Sequence, residues 1–183
     1  MLSRMRLVLL LLVAVSLSAC LTEAPAARDD TAIGAVNVKL IVYPEESETT
    51  LLDAIGHARS RVYLTTYLLT DLRVIDMLAQ ARANGAETRV LLEDAPFGGG
   101  VAAKSSFERL EKAGIPVKPG NPVFRFTHQK SIVIDGAAYV LTANMTRAAF
   151  QANREFGLIL TEPADVAEIV AAFNADWERK PFN

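Results

Sequence analysis

His128 and Lys130 stand two residues apart in the stretch Thr127 to Gly136, an imidazole and an ammonium at the head of the apolar run Ile132-Val133-Ile134. Three consecutive β-branched residues followed by the turn pair Asp135-Gly136 predict a strand over this stretch. Alternate side chains of a strand share a face, so His128 and Lys130 would project together, with Gln129 and Ser131 on the other side. Two such groups at the mouth of a buried strand are costly without a partner or a task. Downstream lie two further polar candidates, Asn144 within Thr142-Ala143-Asn144-Met145-Thr146, and Glu155.

These residue types suit a phosphoryl group. A lysine supplies positive charge where an anion would sit, and an asparagine amide donates to its oxygens without adding charge. A neutral imidazole can serve as a base, or attack phosphorus and divide one hard displacement into two easier ones. An acidic partner on the other ring nitrogen would set its tautomer. The chemistry points to a phosphodiester.

Competing chemistries lack their residues. A metal site needs three or four His, Cys, Asp or Glu ligands, and the chain has two histidines and one cysteine. Metal-independent chemistry without a cofactor is therefore expected. No G-x-S-x-G nucleophile elbow is present. The glycine run Gly98-Gly99-Gly100 lacks both the Walker lysine and the G-x-G-x-x-G spacing, and reads as a flexible loop. His57, alone on a predicted helix, reads as a surface or packing residue.

His128-x-Lys130-x4-Asp135, followed by Asn144, resembles the His-Lys-Asp motif of the phospholipase D superfamily. Arg61 to Asp71, the helix after it and the strand ending at Glu93-Asp94 resemble that family's βαβ half, and the likeness runs from about Val36 to Trp177. The resemblance implies that His128 is the nucleophile of a covalent phosphohistidine and that Lys130 and Asn144 bind phosphate oxygens. It implies that Asp135 is a structural or hydrogen-bonding member and that Glu155 orients the histidine. Two departures stand out. Leu141-Thr142 replaces the family's Gly-Ser, where a small turn lets backbone approach the phosphate, and Asn144 arrives one residue early relative to Asp135.

Family members with two motif copies build one site from both. This chain carries one, which implies a homodimer with its catalytic centre on a two-fold axis. The substrate would be a phosphodiester of a phospholipid or a nucleic acid, and small exported members of this kind look like the endonuclease branch. A reading from another class is a catalytically silent phosphate-binding or interaction module on the same fold, suggested by the altered turn.

Positioning the set requires a sheet. Strands are predicted at Val36–Val42, Arg61–Leu69, Thr88–Leu92, Ile115–Lys118, the stretch holding His128, Tyr139–Leu141 and Arg154–Leu160. Helices are predicted at Thr49–Ala58, from Asp71 as N-cap to Asn84-Gly85, at Ala102–Ala113 and at Ala164–Trp177. Alternation of strand and helix implies βαβ units, and thus an α/β sandwich whose mixed, mainly parallel sheet has helices on both faces.

The chain opens differently. Arg4 and Arg6, the apolar Leu7 to Leu17, and Leu17-Ser18-Ala19-Cys20 have the form of a signal peptide over 1–19, too short in apolar length to span a bilayer at roughly 20 residues. A retained membrane anchor is the alternative. Leu-Ser-Ala-Cys resembles a bacterial lipobox, which implies lipidation of Cys20 and a lipid-anchored, exported protein in the cell envelope. Residues 20–35 then read as a tether to a domain over 36–183. The chain carries 19 basic against 21 acidic side chains, two of the basic ones being Arg4 and Arg6, so bulk charge gives no support to non-specific nucleic-acid binding.

Overall fold

The computed structural model describes residues 38–98 and 100–180. The expected signal peptide, Cys20 and the tether lie outside the described residues. Among those described, no helix is long and apolar enough to cross a membrane.

The elements in order are β1 (Val38–Tyr43), α1 (Thr49–Gly56), β2 (Arg61–Thr66), α2 (Leu72–Ala83), β3 (Glu87–Leu92), α3 (Gly100–Lys112), β4 (Val117–Pro119), β5 (Ser131–Ile134), β6 (Ala137–Leu141), α4 (Arg147–Gln151), β7 (Glu155–Leu160) and α5 (Pro163–Trp177). One seven-stranded sheet runs β1-β7-β6-β5-β2-β3-β4. The α/β class and the helices on both faces match the reading of the sequence. The strand balance does not: only β2–β3 and β3–β4 are parallel, and the other four pairings are antiparallel. Short connections explain this, because the two-residue Asp135-Gly136 turn can join only antiparallel neighbours, and β7 follows β6 with just the short α4 between them.

Alternation along the strands divides the core. Val62, Leu64, Val90, Leu92, Ile132 and Ile134 face α1 to α4, whereas Tyr63, Leu91, Val133 and Ala138 face α5 through Val166 and Phe173. Each fully buried Leu, Ile or Val contributes about 1.5–3 kcal/mol, so β2, β3 and β5, buried on both sides, anchor the fold. Helix α2 begins as its sequence predicts, with the Asp71 side chain accepting from Arg73 N–H.

Strand β5 is shorter than expected. It starts at Ser131, opposite Thr65 near the end of β2, so His128, Gln129 and Lys130 lie in the segment leading into the strand. The Lys130 carbonyl still accepts from Leu141 N–H at 2.8 Å, which ties that segment to β6.

Asp135 closes the other end of β5. Its backbone takes a positive φ of 51°, a conformation that Asp tolerates better than most residues. Its carboxylate accepts from Ser60 N–H at 2.7 Å, Ser60 Oγ at 2.9 Å, Arg61 N–H at 3.1 Å and Arg59 N–H at 3.1 Å. Burial pushes this carboxyl's pKa up, but the donors on Ser60, Arg61 and Arg59 together outweigh it and hold it below the usual value. Asp135 therefore ties the start of β2 to the β5–β6 turn.

A carboxyl with a depressed folded-state pKa stabilises above its unfolded value, near 3.9, and loses that contribution as pH falls through the folded-state value. Asp135→Ala is expected to lose about 2–3 kcal/mol at neutral pH, and the gap to the native protein should close in acid. Urea denaturation of both proteins at neutral and acid pH checks this. A gap unchanged in acid would assign the effect to backbone strain instead of charge.

Candidate active site

The site lies at the end of the sheet where β2 and β3 finish. Ligand sites of α/β folds gather at such carboxyl ends, where connections diverge to opposite sides. Here the chain must leave β3, return through residues 120–130 and insert β5 beside β2, and the loop so formed carries His128 and Lys130.

That loop is pinned at several points. Glu93, just past β3 and 6% exposed, accepts from Thr127 N–H at 2.6 Å and from Ala95 N–H at 3.1 Å. Thr127 packs so closely on Gly120 that a Cβ there would lie 1.7 Å from Thr127 Oγ1, so only glycine fits. His128 is thus presented from a fixed backbone although its side chain is exposed.

Lys130 is 8% exposed. Its Nζ donates to the His128 carbonyl at 2.7 Å and lies 3.3 Å and 3.4 Å from the two ring nitrogens of His128. The ammonium is thus nearly equidistant from the two ring nitrogens. The Tyr67 ring completes the group, 4.7 Å from the His128 ring by centroids and 5.5 Å from Lys130 Nζ. Burial is the larger influence on the Lys130 ammonium and lowers its pKa, with the negative charge of Glu155 pulling the other way.

Asn144 follows β6 at the same end of the sheet. Its Oδ1 accepts from Leu68 N–H at 3.2 Å, which turns its NH2 group toward other acceptors. The strap between residues 68–71 and Met145, with Met145 N–H bonded to the Leu68 carbonyl and both Thr70 and Asp71 N–H bonded to the Met145 carbonyl, fixes that orientation. Glu155 opens β7. It accepts from the Thr142 hydroxyl and from Asn153 Nδ2 at 3.3 Å, and its charge reaches Lys130, but no hydrogen bond joins it to His128.

The Leu141-Thr142 departure is accommodated. Thr142 Oγ1 accepts from Phe156 N–H at 3.0 Å while donating to Glu155, so the hydroxyl organises the start of β7. Leu141 points into the core, opposite Gly157 in the β6–β7 register. A Cβ at 157 would lie 2.4 Å from Leu141 Cδ2, so the larger residue at 141 fits because its neighbour has no side chain.

A cleft of about 510 Å³ opens between the sheet and α5, lined among others by His128, Lys130 and Thr142. The structure thus brings His128 and Lys130 into contact and sets Glu155 within charge range. It places Asn144 at the same sheet end and Asp135 at the far end of β5. His57 is exposed, with Nδ1 2.8 Å from the Asp53 carbonyl, a helix-end contact. Among the described residues no three His, Cys, Asp or Glu side chains converge as metal ligands. The sequence reading took Tyr67 and Glu93 only as strand residues, although both sit directly after strands that end beside His128.

A family model described as "Cardiolipin synthase, PLD-like domain" matches residues 51–177. Cardiolipin synthase 1 of Bacillus cereus and of Bacillus anthracis are each 29% identical to the chain over 136 residues, which cover 70% of this chain and 26% of theirs. The chain thus spans about a quarter of the length of the curated relatives it matches. Among solved structures, a phospholipase D family member, Nuc, from Salmonella typhimurium superposes with a TM-score of 0.69 at 23% identity, over 78% of this chain and 94% of that one. NucT from Helicobacter pylori gives 0.65 at 16% identity, over 79% and 97%. Those identities speak for the fold, and the family model, covering most of the chain, speaks for descent: the chain belongs to the phospholipase D-like family.

Proposed function

We propose that this protein is a metal-independent phosphodiesterase acting through a covalent phosphohistidine on His128. The observation that carries the reading is a buried lysine ammonium within 3.3 Å of an exposed imidazole at the mouth of a cleft. A ring nitrogen of His128 attacks phosphorus, the P–N bond forms, and the P–O bond to one alcohol breaks. Lys130 and the Asn144 amide hold the non-bridging oxygens while charge develops on them. Water then attacks phosphorus, the P–N bond breaks, and a phosphomonoester and free imidazole remain. An alcohol in the place of water would give transfer instead of hydrolysis.

The departing alkoxide needs a proton, and one motif supplies one histidine. We assign that proton to His128 of the partner subunit, across a two-fold axis. A bare apolar surface favours this arrangement: Leu40, Leu158 and Val140 lie in one cross-strand row on the α5 face, with Phe156 beside them, at 54%, 41%, 40% and 49% exposure. Exposed contiguous apolar surface of this kind marks an interface, and Val140 also lines the cleft that holds His128. A lipid on Cys20 would hold the dimer at a membrane of the cell envelope.

Two experiments follow. With bis-p-nitrophenyl phosphate as substrate and EDTA present, the full chain should turn over, and His128→Ala should lower kcat by roughly a thousand-fold or more. Equal rates in the two proteins would remove the enzymatic reading, and loss of activity on chelation would remove its metal independence. In sedimentation of the full chain in mild detergent, the native protein should run as two protomers, and Leu158→Glu as single protomers of low activity. A single protomer with full activity would contradict the shared site.

A further inference from the structure

His128 stands on a fixed backbone, but its side chain is exposed, and an exposed side chain changes rotamer within nanoseconds unless a neighbour blocks it. An imidazole that must meet phosphorus in line gains from being held in one rotamer before the substrate arrives. Glu155, expected from the family resemblance to orient this ring, is bonded to Thr142 and Asn153 instead. Lys130 makes its shortest hydrogen bond to the His128 carbonyl, at 2.7 Å, and so is anchored to backbone.

The Tyr67 ring supplies the block. Its centroid lies 4.7 Å from that of His128 with the planes tilted by 58°, within the range in which aromatic pairs attract. Tyr67 is itself held from three directions. On one side, Thr66 donates its hydroxyl to the Leu68 carbonyl at 3.1 Å, and on the other, Leu68 N–H donates to Asn144 Oδ1 at 3.2 Å. The Tyr67 hydroxyl accepts from Phe97 N–H at 2.5 Å, in the loop after β3. That loop begins at Glu93, whose carboxylate accepts from Thr127 N–H, the residue before His128. One loop thus grips the backbone ahead of His128 and, through Tyr67, the imidazole ring.

We propose that Tyr67 is a positioning residue for His128, its ring holding the imidazole in the rotamer that meets the substrate while residues 93–97 brace that ring through the Tyr67 hydroxyl. The proposal rests on the reading of His128 as a nucleophile and adds the group that orients it. Tyr67 takes no part in bond making. Its effect falls on kcat, because the Lys130 bond to the His128 carbonyl and the Asn144 bond to Leu68 do not involve the phenol ring.

The test applies two probes to the full chain. Turnover of bis-p-nitrophenyl phosphate gives kcat and KM. Diethyl pyrocarbonate, which carbethoxylates imidazoles, reads the ring without any turnover, and peptide mapping compares His128 with His57, the exposed histidine at the end of α1, as internal reference. Tyr67→Leu should lower kcat by about ten-fold or more with KM within about two-fold of native. The same variant should raise the ratio of His128 to His57 modification about three-fold as the ring comes free. Tyr67→Phe keeps the ring, and should keep at least about a third of native kcat and the native modification ratio. A Tyr67→Leu protein with native kcat and ratio overturns the proposal, as does a Tyr67→Phe protein that falls as far as Tyr67→Leu. A fall in kcat with the ratio unchanged assigns the loss to a loosened fold and overturns it too. A native protein that fails to cleave the diester overturns the phosphodiesterase reading, and the modification ratio then decides by itself whether Tyr67 holds the ring.

Discussion

A lysine ammonium buried beside an imidazole is the constraint on which this structure turns. Neither group is stable there unless the backbone around it is fixed, because a loose loop would let Lys130 escape to water. The fold supplies that fixity at both ends of a four-residue strand. On one side, Glu93 and Gly120 pin the segment at Thr127, and the Lys130 carbonyl bonds to β6. On the other, the Asp135 carboxylate gathers the N–H groups of residues 59–61. The members of one short motif thus have separate places, His128 and Lys130 in contact with each other and Asp135 fastening the strand that follows them.

The sheet topology follows from the same requirement. Inserting β5 antiparallel next to β2 sets the loop before it at the finishing end of the parallel strands, where the residues after β2 and β3 are also free to turn inward. Tyr67 and Glu93 come from those two positions. Asn144 and Glu155 arrive at the same end because β6 leads out toward it and β7 starts from it. A compact meander between residues 131 and 160 delivers the polar downstream candidates to one edge without any long connection.

Much of this was legible in the sequence, for definite reasons. Helix α2 declared itself by its Asp71 cap and Gly85 stop, and β2 and β5 by β-branched runs. The spacing of His128, Lys130 and Asp135 fixed the candidate pair and its anchor. Other features were hidden because they depend on what lies across the sheet. The shortness of β5 reflects where β2 ends, which no local pattern records. The parallel bias of the expected sheet came from reading strand-helix alternation forward into the meander. Leu141 in place of the family's glycine looked like an intrusion into a tight turn. Gly157 removes the conflict from the facing strand, sixteen residues along the chain. The expected link from Glu155 to His128 is replaced by bonds to Thr142 and Asn153, with only its charge felt at Lys130.

The chemistry proposed for the site reduces to whether His128 becomes covalently bound to phosphorus. The direct measurement is to react the full chain with a phosphodiester carrying labelled phosphorus, quench in alkali, where phosphohistidine survives, and map the labelled peptide. The account predicts label on the peptide containing His128, released on acidification and absent from His128→Ala. Sustained turnover with no label on that histidine would contradict it.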